Sequence, residues 1–132
     1  MDNKDKKIIK ILSKDSRTPY TVMAQKIKLS ESSVRKRVMN LEKNGIIEKF
    51  TIIINPAKVG FNTVAIIGLD VDPSKFLEIT SKMAKFKEVK YVATSTGDHM
   101  IMLEMWTKDG KELTEIISEK IGKIKGINRI CP

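Results

Sequence analysis

The stretch Ser30–Gly45, "SESSVRKRVMNLEKNG", decides how the first half of the chain is read. Val34, Val38 and Leu41 recur at spacings of four and three, the apolar stripe of an amphipathic helix. Ser30 is placed to cap its start, Lys43 falls in its last turn, and Gly45 stands just past its end. At about 100° per residue, Ser32, Ser33, Lys36 and Asn40 point away from that stripe, and Arg35 and Arg37 flank it.

The segments before it read as two more helices. In "DNKDKKIIKIL", Asp2 and Asp5 mark a start, and Ile8, Ile11 and Leu12 share a face. Pro19 breaks that helix, because proline has no N–H and disfavours helix in the residue before it. Thr21 is expected to cap a short second helix carrying Val22, Ala24 and Ile27. After Gly45 comes "IIEKFTIIINP", a β-branched run expected to form an extended strand up to Pro56.

The second half alternates strand and helix. Strands are expected over 63–71, 89–96, 99–106 and 127–131. A helix follows Asp72, with Pro73 at its first position and Phe76, Ile79 and Met83 inward. Another follows the Asp109–Glu112 capping box, with Leu113, Ile116, Ile117, Lys120, Ile121 and Ile124 at helical spacing. The order is βαβ twice, the ferredoxin-like arrangement of one antiparallel sheet with two helices on one face. The fold class is therefore α+β. The expected domains are a helix-turn-helix unit over 1–50, a linker strand over 51–62 and a ferredoxin-like unit over 63–132.

Charge separates the halves. Of 132 residues, the first 60 hold 14 Lys/Arg against 6 Asp/Glu, and the rest 11 against 10. A basic half suits a polyanion, nucleic acid by default, and equally suits a solvated lysine surface. Hydroxyls, an amide and cations on one exposed helix face can reach base edges and phosphates, and a free helix N-terminus can hold a phosphate. An ordinary three-helix bundle with a basic face would share this pattern.

Other chemistry finds little to work with. One histidine and one cysteine, His99 and Cys131, make no zinc site, and no metal or other cofactor is expected. Cys131 has no disulfide partner in the chain, and no apolar run approaches a membrane span. A soluble, cytoplasmic protein that does not act on a membrane is expected. Asp98–His99 could suggest acid–base catalysis, but no nucleophile or metal accompanies it. Gly97–Asp98 reads better as a turn between two strands, with His99 incidental at a strand start. Trp106 and the methionines at 100, 102 and 105 read as core or interface, and Lys82, Lys85, Lys87 and Lys90 as a solvated face.

The ordered set Asp5, "KIL" 10–12, Asp15–Arg17, Met23–Ala24, Leu29–Ser30, Val34, Arg37–Val38, Leu41–Glu42 and "GII" 45–47 resembles the DNA-binding half of the Lrp/AsnC transcription regulators. The second half, with "TGD" between strands, resembles the ligand-sensing and dimerising domain of that family. The resemblance implies a homodimer, often built into tetramers or octamers, that binds double-stranded promoter DNA through a winged helix-turn-helix. It places DNA contact on Ser32, Ser33, Arg35, Lys36, Arg37 and Asn40. It also places an effector, a free amino acid for many members, at Thr96, Gly97, Asp98 and Met100. Amino-acid sensors of the family commonly read Gly-Asp-x-Asp there; Met100 stands where the second carboxylate would hold the ligand's amino group. Besides a sequence-specific regulator, a nonspecific architectural DNA- or RNA-binding protein fits the charge.

Overall fold

The computed structural model describes residues 1–97 and 99–132. The chain divides into two compact units, Met1–Ile53 and Ile54–Pro132.

The first unit is a three-helix bundle. Helix α1 spans Asn3–Lys14, α2 Tyr20–Ile27 and α3 Glu31–Lys43. Asp2 caps α1, its carboxylate accepting from the Asp5 N–H. Ser30 caps α3 in the same way, its hydroxyl accepting from Ser33 N at 3.1 Å. The cap expected at Thr21 is not formed: α2 begins one residue earlier, behind Pro19, whose fixed φ sets the entry without any side-chain cap. Ile8, Met23, Ala24, Ile27, Val34, Val38 and Leu41 form the buried core, so each helix contributes its apolar stripe. The α2–α3 turn needs a left-handed residue, and Lys28 supplies it at φ 57°. Gly45, at φ 74°, ends α3: the Ile46 N–H reaches back to Leu41 O at 3.0 Å, closing the helix.

The strand expected over "IIEKFTIIINP" is absent. Among the described residues, none from 46 to 55 joins a sheet ladder. A β-branched run becomes a strand only when a neighbour pairs with it, and here Ile52 and Ile53 stand open to solvent. A turn of 3₁₀ helix, Pro56–Val59, follows.

The second unit has the ferredoxin-like arrangement. Strands β1 (Thr63–Val71), β2 (Val89–Thr94), β3 (Ile101–Thr107) and β4 (Ile127–Cys131) form one sheet in the order β2-β3-β1-β4, with every pair antiparallel. Helix α4 spans Phe76–Lys85 and α5 Gly110–Ile116. Two expected helices are divided. A 3₁₀ turn, Pro73–Lys75, precedes α4, and α5 widens into a π turn over Ile117–Ile121. Burial alternates strictly along β3: Ile101, Leu103 and Met105 pack with Ile67, Leu69, Ile79, Met83, Ile116 and Ile121 under the helices. Lys120, the polar member of the α5 stripe, bonds the buried Glu88 carboxylate at 3.2 Å.

Candidate nucleic-acid interface

Helix α3 carries the first candidate site. Its core stripe of Val34, Val38 and Leu41 is fully buried, which fixes the rotation of the helix in the bundle. The opposite face presents Ser32, Lys36 and Asn40, all exposed. These residues line one open depression with Ser30, Glu31, Arg35 and Met39. Ser33 is half-buried at the edge, its N–H spent on the Ser30 cap.

The two flanking arginines behave differently. Arg35 remains exposed, 3.4 Å from Glu31 and 5.5 Å from the Tyr20 ring centroid. Arg37 does not stand with the outward face. Its guanidinium lies 2.7 Å from Asp2 and 3.0 Å from Asp5, tying α3 to the start of α1. The hydrogen bond to Arg37 holds the Asp2 carboxyl below its ordinary value, and Asp2 in turn raises Arg37.

Sequence reasoning missed Met39. It is 60% exposed on the same face. Its position, five residues after Val34, lies about 140° from the stripe, so helical phasing alone would have found it. An apolar side chain among hydroxyls and an amide can meet a thymine methyl group in a major groove.

The connection between β2 and β3 is the second site. It runs from Ser95 to Met100, longer than the two-residue turn expected, and both flanking strands are correspondingly shorter. Ser95 N–H bonds Met100 O at 2.9 Å, and Gly97 N–H bonds the Ser95 hydroxyl at 3.0 Å. Thr96 and Gly97 are exposed; Met100 packs against the sheet core. Asp98 lies outside the described residues. His99 is not incidental. Its Nδ1 lies 3.1 Å from Asp70 Oδ1, and its ring fills the space over Gly68. A Cβ on Gly68 would stand 2.5 Å from the imidazole, so only glycine admits this contact. Asp98–His99 adjacency had hidden the real partner, 29 residues away.

His99 and Asp70 lie at one end of the sheet face that the helices leave open. Val64, Ile66 and Tyr91 are exposed there beside Met102, Glu104 and Trp106, the half-buried alternate residues of β3. Trp106 stacks at a tilt on Phe61, centroids 5.8 Å apart, with Lys90 5.5 Å above the indole. Lys90 is thus not simply a solvated lysine. Among the described residues no group of three or more His, Cys, Asp or Glu could hold a metal ion, and no helix is long and apolar enough to cross a membrane.

Comparisons with known proteins agree with the fold of both units. Residues 1–48 match a family model described as winged helix-turn-helix DNA-binding, and 64–131 one described as Lrp/AsnC ligand binding domain. The chain is 51% identical to the HTH-type transcriptional regulator LrpA of Pyrococcus horikoshii, over 100% of this chain and 94% of that one. Among solved structures it superposes on Escherichia coli AsnC with TM-score 0.87 at 24% identity, covering 98% of this chain and 88% of that one. The Neisseria meningitidis regulator NMB0573, solved as its L-Met complex, gives TM-score 0.90 at 20% identity, covering 98% and 86%.

Proposed function

The chain belongs to the Lrp/AsnC family of transcriptional regulators, and on that premise we propose that α3 is the helix that enters the major groove of its target DNA. The protein is a helix-turn-helix DNA-binding regulator and not an enzyme. The observation that carries the assignment to α3 is its outward face: Ser32, Lys36, Met39 and Asn40 are exposed together, opposite a buried stripe that fixes their direction. Lys36 and Arg35 hold phosphates, Ser32, Ser33 and Asn40 reach base edges or phosphates, and Met39 adds apolar contact. Arg37 acts on DNA indirectly, as a positioning residue that fixes α3 against α1.

The open sheet face is the surface for a second copy. An apolar face carrying Val64, Ile66 and Tyr91 is costly to leave in water, and a homodimer supplies the two reading helices that a symmetric site requires. Assembly into tetramers or octamers builds on that dimer. An effector, of the free amino-acid class, is expected at the 95–100 connection through Thr96, Gly97 and Asp98. Met100 brings no second carboxylate to hold the amino group, which favours an effector held by its carboxylate and side chain.

Alanine substitution tests the helix. Lys36→Ala and Arg35→Ala should each weaken binding to duplex DNA and, as phosphate contacts, lower the salt slope by about one unit per bound protomer. Unchanged affinity and slope in both would remove α3 from the interface.

A further inference from the structure

Helix α1 lies outside the helix-turn-helix pair, yet it carries the densest charge of the first unit. Lys6, Lys7, Lys10 and Lys14 are all exposed. At about 100° per residue they fall within one arc of roughly 100°, centred well away from the buried Ile8. No acid shares that arc. The two acids of this end, Asp2 and Asp5, face α3 and are held by Arg37. Lys4 also lies off the arc, its ammonium donating to Ile27 O at 2.8 Å.

Three exposed helical cations elsewhere in the chain show another arrangement. Arg35, Lys82 and Lys123 each pair with a glutamate four residues before them. Among the described residues the four α1 lysines make no ion pair. Instead Lys6–Lys10 and Lys10–Lys14 are like charges at i, i+4, each unfavourable by about 0.2–0.5 kcal/mol. A solvated helix face has no reason to collect such pairs without one glutamate among them. A polyanion outside the molecule would reverse their sign.

We propose that the lysine face of α1 is a second DNA-contact surface, which binds backbone phosphates flanking the half-site read by α3. From Lys6 to Lys14 the row is about 12 Å long, enough to track roughly three phosphates of one strand. Lysines act as point charges with flexible stems, so the contact carries affinity without base sequence. The proposal rests on the reading of α3 only for the location of the half-site.

The test uses the full chain and three variants: K6Q/K10Q/K14Q, its arginine counterpart K6R/K10R/K14R, and the single Lys10→Gln. Binding is titrated against salt on a duplex trimmed to the selected site, and on the same duplex extended by about one helical turn, roughly 10 base pairs, at each end. On the long duplex the glutamine triple variant should lose about 2.7 per bound protomer from the salt slope, the single variant about 0.9 per protomer, and the arginine variant nothing. On the trimmed duplex all should match the parent. Equal losses on both lengths, or no loss on either, would overturn the proposal. So would a lysine dependence confined to duplex RNA or to phosphatidylserine vesicles. If Lys36→Ala changes nothing while the length-dependent loss remains, the reading of α3 fails and the lysine surface stands. Should no selected site exist, the long duplex of random sequence is used, and an unchanged salt slope in the glutamine triple variant overturns the proposal.

Discussion

Arg37 and Asp2, 35 residues apart in sequence, meet at 2.7 Å, and the same guanidinium bonds Asp5 at 3.0 Å. One arginine thereby joins the cap of α1 to the middle of α3. The pair is partly exposed, Asp2 more than Arg37, so its Coulombic worth is modest; its geometric worth is that the reading helix cannot roll without breaking it. Arg37→Ala should weaken binding to a selected site while leaving the salt slope unchanged, because no phosphate contact is lost. Arg37→Lys should recover only part, since one ammonium cannot fork across two carboxylates. A slope that fell by about one unit in Arg37→Ala would return this residue to the DNA.

The same contact sets an acid limit. The Asp2 carboxyl, held down chiefly by Arg37, lies below its ordinary value of 3.8. Its contribution to stability is therefore fully present above that value and is lost as pH falls through the lowered one. Between pH 5 and about pH 2, urea unfolding of the parent should lose more stability than unfolding of Asp2→Asn. Identical pH dependence in the two would show that Asp2 gains nothing on folding.

Met39 offers a chemical test at single-methyl resolution. Where the site has thymine opposite Met39, replacing it with deoxyuridine removes one methyl group, worth about 0.8 kcal/mol if buried, or roughly fourfold in affinity. The parent should show that loss at one symmetric pair of positions, and Met39→Ala should not. A deoxyuridine scan that is flat in the parent would leave Met39 outside the groove.

Two local features hold α3 in place, and each has a predictable cost. Ser30→Ala removes the hydroxyl that accepts from Ser33 N and should cost about 1 kcal/mol in unfolding of the bundle. Gly45→Ala puts a Cβ on a residue at φ 74° and should cost about 1–2 kcal/mol. Both are read from denaturant midpoints. A change below a few tenths in either would mean that the helix end is not held as described.

The sheet end is tested through Gly68. Gly68→Ala should expel the His99 ring, and it should produce the same His99 ring shifts by NMR as Asp70→Asn, with the sheet intact. If the imidazole resonances of Gly68→Ala match those of the parent, His99 does not lie over this glycine.

Much of this was legible in the sequence. Helices α1, α3 and α4 and the four strands follow from apolar spacing, and the caps at Asp2, Ser30 and Asp109 from residue type alone. What escaped was non-local. The partners of Arg37 and His99 lie 35 and 29 residues away, and no periodicity reports a contact across a fold. The 46–55 run misled because its β-branched composition meets the needs of a strand, while pairing depends on a neighbour, and among the described residues none pairs with it. Thr21 misled because the helix had already begun at Tyr20, with Pro19 in the N-cap position and no side-chain cap formed. Lys120, the one polar residue at the helical spacing after Asp109, is explained by Glu88, 32 residues away.

The proposed function has this chain, as a dimer, reading symmetric DNA through α3. Selection of the full-length protein against a random-sequence duplex pool tests it most directly. An inverted repeat is expected whose half-sites lie one helical turn apart, about 10 base pairs, or a multiple of that spacing, with enrichment lost in Lys36→Ala. A pool that shows no symmetric consensus, or one enriched equally by Lys36→Ala, would contradict it.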